Sequence, residues 1–151
     1  MIAERLRELG IVLPAPFPPG GNYASCVVDD GMVYVSGHGP IDGETMVRGT
    51  VGGDLSVEQG REAARMTALS ILATLQAELG DLDRIAKIVR VLGMVNVAPG
   101  FDRTPVVIDG CSDLLVDVFG EAGRHARSAV GLAELPFGIA VEVELTARLH
   151  P

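Results

Sequence analysis

The chain has 151 residues, of which 48 % are hydrophobic and 21 % are charged, a composition typical of a folded globular protein with its own core. Its formal net charge is −8, only 12 residues are Lys or Arg, and Trp is absent. Because nucleic-acid binding depends on basic patches and stacking aromatic side chains, we expect no RNA or DNA partner. No apolar run is long enough to cross a bilayer, so we expect no membrane partner.

The first part of the chain predicts little regular structure. Charged residues such as Glu4 and Arg7 are unlike a signal peptide, and we therefore expect a cytoplasmic protein. A short helix is expected over residues 1–13, and the prolines between residues 14 and 20 predict an extended lead-in. No repeat, low-complexity segment or domain boundary is visible, so we treat residues 1–151 as a single domain.

A hairpin and a short strand are predicted next. Strand-like runs at residues 24–28 and 32–36 flank an Asp-Asp-Gly turn at 29–31, a pattern typical of a β-hairpin. The following residues, 41–53, are rich in glycine and show little periodicity. Within them we expect a short third strand at 46–48.

Two helices and a long strand occupy the middle of the chain. Ser56 begins a capping box, and apolar residues at helical spacing predict a helix over 57–79. Residues 85–97 are rich in Ile and Val and predict a strand. Thr104, as the cap, is expected to begin a second helix over 105–119, with proline at its first position.

The last part of the chain predicts two strands. Residues 139–145 alternate as a half-buried strand does, and Glu142 lies on its polar face. Arg127 begins the strand before it. On neighbouring strands these two residues either form a cross-strand ion pair, which contributes little stability, or bound one small polar pocket. The order of elements predicts an α+β fold: a single mixed sheet with two helices packed on one face.

No motif for a metal or cofactor is present. The chain lacks metal-ligand spacing, a phosphate-binding loop and a dinucleotide fingerprint, so we expect no metal and no cofactor. Cys26 and Cys111 lie far apart and are predicted to be buried thiols. His38 and His125 are interpreted as hydrogen-bonded structural residues, although His125 directly precedes Arg127 and is also a candidate for tuning the proton balance of a pocket there.

Four short motifs, taken in order, carry a family resemblance. They are Val-Tyr-Val-Ser-Gly at 33–37, Gly-Asp-Leu-Asp at 80–83, Arg-Ser-Ala-Val at 127–130 and Val-Glu-Val-Glu at 141–144. From about Asn22 to its end, the chain resembles the RidA (YjgF) family of enamine/imine deaminases, also named L-PSP endoribonucleases, and in particular a longer, poorly characterised branch. The resemblance implies a chorismate-mutase-like fold, a homotrimer with sites at its subunit interfaces, and no metal or organic cofactor.

The resemblance also implies roles for individual residues. Arg127 matches the arginine that binds the substrate carboxylate, and a guanidinium is a planar, permanently charged partner for that group. Glu142 matches a catalytic carboxylate that handles the water and its proton. The other substrate-binding positions that it implies are Tyr23, Gly37, Asn96 and Ala129. Many family members carry a cysteine where this chain has Ala129, and the contact made there is largely through the backbone.

Three functions follow as hypotheses. The first is the hydrolysis of 2-imino or enamine acids to 2-keto acids and ammonia. The second is a non-catalytic trimeric module that binds small carboxylates through the same Arg127. The third is the endoribonuclease that the alternative family name implies, and the net charge of −8 with few aromatic residues counts against it.

Overall fold

Three helices and seven strands make up the structure, a computed structural model that describes residues 1–151. The helices are α1 (Ile2–Glu8), α2 (Val57–Leu79) and α3 (Thr104–Phe119). The strands are β1 (Cys26–Asp29), β2 (Met32–His38), β3 (Ile41–Asp42), β4 (Thr45–Met46), β5 (Ile85–Asn96), β6 (Ala126–Leu132) and β7 (Val141–Leu149). None of the helices is both long and apolar enough to cross a membrane.

Five of the strands form one mixed sheet in the order β1-β2-β7-β5-β6. All neighbours are antiparallel except β5 and β6, which run parallel because α3 connects them as a crossover. The short strands β3 and β4 pair separately. Helices α2 and α3 pack together on one face of the sheet over a cluster of 29 buried residues. The predicted α+β fold, with two helices on one face of a single mixed sheet, is confirmed.

The positions of α2 and α3 follow from local signals. The Ser56 hydroxyl accepts a hydrogen bond from the Gln59 backbone N–H, and the Gln59 side chain accepts one from the Ser56 N–H, which is the predicted capping box. Helix α3 packs so closely against α2 at Gly110 that a Cβ atom there would clash with the Arg61 backbone carbonyl. Glycine at this position therefore permits the close packing of the two helices.

Three of the predicted boundaries were wrong. The first helix ends at Glu8, not near residue 13. Helix α3 begins at Thr104 itself, whose hydroxyl donates to the Ala129 carbonyl 3.0 Å away instead of capping the helix. In place of a third strand at 46–48, the chain forms the small β3–β4 hairpin, and Arg48 makes an isolated bridge to Ile139.

The second face of the sheet carries no helix. Tyr34 points to this open face, because its neighbours Val33 and Val35 are buried in the core. Tyr34 is 48 % exposed, and Val27, directly opposite it on β1, is 52 % exposed. Val130 of β6 is exposed on the same face. Large apolar side chains on one open face are typical of a surface that another protein covers.

Candidate functional site

Glu142 lines a cavity of about 430 Å³ at the end of β2, which Ser70 of α2 also borders. It pairs with Met94 of β5, while its neighbours Val141 and Val143 are fully buried on the helix side. The walls of the cavity come from segments that are distant in the sequence. They are the proline-rich lead-in at 17–20, Tyr23, the end of β2, Met46 and Arg48, and the turn at Pro136–Gly138.

Gly37 allows the Glu142 carboxylate to lie where it does. A Cβ atom at Gly37 would be only 2.6 Å from Glu142 Oε1. The β2–β7 pairing shifts register between Val35 and His38, which marks a bulge at this point of the sheet. Glycine at position 37 therefore leaves room for the Glu142 carboxylate, which a side chain at that position would displace.

The Glu142 carboxylate has no cationic partner within 4.0 Å, since none of the ion pairs of the protein includes it. Burial raises its pKa, and the nearby charge of Glu144 raises it further. A carboxylate with a raised pKa is a stronger base than an exposed one when it is ionised. Its position and environment therefore suit proton transfer inside the cavity.

Tyr23 and Arg48 also line this cavity. The Tyr23 hydroxyl accepts a hydrogen bond from the Gly20 N–H at 3.2 Å, so the ring holds the lead-in beside the cavity. The Arg48 Nε donates to the Phe137 carbonyl at 2.9 Å. Sequence reasoning missed Arg48. The available signal was a single arginine inside the glycine-rich stretch at 41–53.

His38, which also borders the cavity, is held by two hydrogen bonds. Its Nδ1 lies 2.6 Å from the Ser36 carbonyl, which can only accept, so Nδ1 carries the proton. Its Nε2 therefore accepts from the Thr74 hydroxyl at 2.9 Å. Burial lowers the pKa of His38, which favours the neutral ring. These contacts agree with the structural role predicted for this residue.

Arg127 lies on the opposite face of the sheet from Glu142, beside α3. It pairs with Val91 of β5, whose side chain is fully buried under the helices. Its Nη1 donates to Asp109 Oδ1 at 2.8 Å and to the Ser112 hydroxyl at 3.1 Å, and its Nη2 donates to the Pro105 carbonyl at 3.3 Å. Its Nε donates to no group of the chain.

His125 extends this network along a polar groove of about 530 Å³. Its Nδ1 lies 2.6 Å from the Gly123 carbonyl and so carries the proton, which makes its Nε2 an acceptor for the Ser112 hydroxyl at 2.9 Å. The Ser112 oxygen is then free to accept from Arg127. Burial lowers the pKa of His125, and the charges of Arg127 and Lys87 lower it further, so the ring is neutral in this network.

Both sequence hypotheses for a pairing of Arg127 with Glu142 were wrong for a single chain. Strand β5 lies between β6 and β7, and the two side chains point to opposite faces of the sheet. The ion-pair partner of Arg127 is Asp109 of α3. The reason is that β6 pairs in parallel with β5, so that strands consecutive in the sequence are not neighbours in the sheet.

A match to a protein family covers nearly the whole chain. A model of the YjgF/chorismate mutase-like family, whose description also names an endoribonuclease, matches residues 3–149. The chain belongs to this family. The YjgF-like fold and the resemblance drawn from the motifs are thereby confirmed.

Relatives of this YjgF-like chain cover nearly its full length. It is 45 % identical to Protein TCP17 of Trypanosoma cruzi, over 99 % of this chain and 94 % of that protein. It is 39 % identical to Atu1372 of Agrobacterium tumefaciens, a protein of unknown function, with a TM-score of 0.91 over 99 % of this chain and 92 % of that one. YyfA of Yersinia pestis, described as a protein of the conserved Rid family, is 25 % identical, with a TM-score of 0.61 over 92 % of this chain and 96 % of that one.

The predicted site residues do not converge on one place within the YjgF-like chain. Tyr23, Gly37 and Glu142 line one cavity, and Arg127 lies in the groove beside α3. Asn96 is buried, and its side-chain amide donates to the Ile139 carbonyl at 3.2 Å. Ala129 lies on β6, where its carbonyl accepts from Thr104. Sequence reasoning missed Arg48 and the partners of Arg127 on α3, which are Asp109 and Ser112.

Proposed function

We propose that the protein hydrolyses reactive 2-imino or enamine acids to 2-keto acids and ammonia, in a site built by two subunits of a homotrimer. The observation that carries the proposal is the unpaired Glu142 carboxylate in its cavity, with a pKa raised by burial. A general base of this kind suits the addition of water to an electrophilic carbon. Membership of the YjgF/Rid family supports the same chemistry.

In the proposed reaction Glu142 moves protons, and the imine carbon supplies the electrophile. As water attacks, one of its O–H bonds breaks, a C–O bond forms, and the proton passes through Glu142 to the imine nitrogen. The resulting carbinolamine collapses when the hydroxyl proton passes by the same route to nitrogen. The C–N bond then breaks, a C=O bond forms, and ammonia leaves. Every step is a proton transfer coupled to addition or elimination, so the electrons balance without an oxidant or reductant.

Arg127 is proposed to bind the substrate carboxylate. Of its five N–H donors, three are used by Asp109, Ser112 and the Pro105 carbonyl. The Nε hydrogen and one Nη2 hydrogen are left, which is the number that a bidentate carboxylate contact needs. The three internal bonds hold the guanidinium in one orientation, so that little side-chain freedom is lost when a ligand binds.

The placement of Arg127 and Glu142 within one chain supports a site shared between subunits. One subunit places Arg127 and Glu142 on opposite faces of its sheet, so they act on one substrate only if a second subunit supplies one of them. The open face, with Tyr34 and Val130 exposed, offers an apolar surface for such a neighbour. Arg127 lies on the edge strand β6, where an adjoining subunit can approach it. A closed ring of three identical subunits satisfies all three conditions.

The test of the activity is a coupled assay. An amino-acid dehydratase generates the imino acid, and the release of 2-keto acid is followed with and without the protein. We expect release to accelerate in proportion to the protein concentration. Binding of a 2-keto acid without any acceleration contradicts the deaminase proposal and favours a carboxylate-binding module. Cleavage of RNA under strict exclusion of contaminating nucleases favours the endoribonuclease.

Mixed oligomers test whether the site is shared between subunits. Arg127→Ala and Glu142→Gln chains, each inactive alone, are co-expressed and the mixed oligomers purified. We expect about a quarter of the sites to carry both native residues if subunits assemble at random in a closed ring, and activity to return to about that fraction.

Two results contradict the shared site. The first is the absence of recovery in oligomers that contain both variants, which means that the two residues do not act together across an interface. The second is a sedimentation mass equal to a single 15.8 kDa chain at micromolar concentration. Mixtures of wild-type and Glu142→Gln chains serve as the control for assembly.

A further inference from the structure

The Glu142 cavity contains a second charged residue that has no role in the reaction above. Arg48 lines this cavity, and its side chain is exposed to solvent there. No carboxylate lies within 4.0 Å of its guanidinium, since Arg48 takes part in none of the ion pairs of the protein. Glu142 lines the same cavity and forms no ion pair with Arg48, so each group is free to contact a ligand in the cavity.

The backbone holds Arg48 firmly in this position. Arg48 forms a β-bridge with Ile139, and the Gly49 N–H donates to the Gly138 carbonyl at 3.0 Å. Phe137, whose carbonyl accepts from Arg48 Nε, has φ 60° and ψ 10°, a conformation that few residues other than glycine adopt. A strained residue that positions one side chain is typical of functional sites.

The chemistry of Arg48 points to an anionic ligand. Its Nε is occupied by Phe137, and the four Nη hydrogens have no partner in the chain. Arg48 is exposed at the cavity, and its free Nη hydrogens can form charge-assisted hydrogen bonds to an acidic group of a ligand there. Arg127 is already assigned to the carboxylate beside the imine carbon, so Arg48 is available for a different acidic group.

We propose that Arg48 binds a second carboxylate of the substrate, so that the substrate class is 2-imino dicarboxylic acids. The inference rests on the proposed function, because it takes Arg127 as the residue that binds the first carboxylate. It adds a specificity-determining residue, with Arg48 selecting the substrate and Glu142 acting on it.

Calorimetric binding of stable product analogues tests the proposal. The probes are 2-oxoglutarate, with two carboxylates, and 2-oxobutanoate, with one. We expect the wild-type protein to bind 2-oxoglutarate roughly tenfold more tightly or better, as one charge-assisted contact allows. In Arg48→Gln, the affinity for 2-oxoglutarate should fall by roughly tenfold, and the affinity for 2-oxobutanoate by less than about threefold. Arg48→Lys should keep part of the preference, because it keeps the charge without the planar fork.

The outcomes separate this inference from the proposed function. An equal loss of affinity for both probes in Arg48→Gln overturns the inference, because Arg48 then binds the carboxylate that the two probes share. An unchanged affinity of Arg48→Gln for both probes overturns the inference as well. Arg7→Gln, which removes an exposed arginine of α1 outside both the cavity and the groove of Arg127, is the matched control. Binding needs no turnover, so a protein that shows the selectivity but hydrolyses no imine refutes the deaminase activity alone. If Arg48→Gln does not fold, the Arg48→Lys result decides.

Discussion

Arg127→Ala should lose imine hydrolysis by about 100-fold or more in kcat/KM while the protein still folds and assembles. The substitution removes two charge-assisted donors from the substrate carboxylate. It also leaves Asp109 without its partner, but the Asp109 side chain is 41 % exposed, so water can solvate the released charge. The coupled assay and a melting curve on the same preparation measure both effects.

Two further variants distinguish binding from structure at this position. Arg127→Lys should also be impaired, because an ammonium group cannot form the bidentate fork. Arg7→Ala, which removes an exposed arginine of α1 outside the groove, should leave the rate unchanged. Full activity in a folded Arg127→Ala oligomer ends the hypothesis. An unfolded variant shows instead that the contact of Arg127 with Asp109 is mainly structural.

Glu142→Gln should retain ligand binding and lose about 10²–10⁴-fold in kcat, the usual contribution of a positioned general base. The amide has nearly the shape of the carboxylate but cannot accept the proton from water. Because burial and Glu144 raise the pKa of Glu142, the wild-type rate should begin to fall with decreasing pH above the ordinary range of a glutamate. The rate falls, and does not rise, with decreasing pH because protonation converts the Glu142 base to its inactive neutral form.

Glu144→Gln is the matched control for this prediction. Glu144 lies two residues along β7 on the same face and raises the pKa of Glu142 through its charge. Its removal should leave kcat at neutral pH nearly unchanged and move the acid limb of the pH–rate profile to lower pH. An unaltered kcat in Glu142→Gln excludes Glu142 as the base, and loss of 2-keto acid binding in that variant assigns it to binding instead.

The sequence by itself determined the elements and the family. The Ser56 capping box predicted the start of α2, and the alternation from residue 139 onward predicted which side of β7 is buried. These features depend on hydrogen bonds and apolar spacing between residues close in the chain. The order of the short motifs indicated the family. Tyr23 and Gly37, which the family resemblance placed with Glu142, line one cavity with it.

Only the tertiary structure decided which charged groups meet. The insertion of β5 between β6 and β7 separates Arg127 from Glu142, and the packing of α3 brings Asp109 and Ser112 to Arg127. Arg48 reaches the cavity through a bridge to a segment about ninety residues away. Such contacts depend on strand order and register, which the burial of the whole core selects, and no local pattern encodes them.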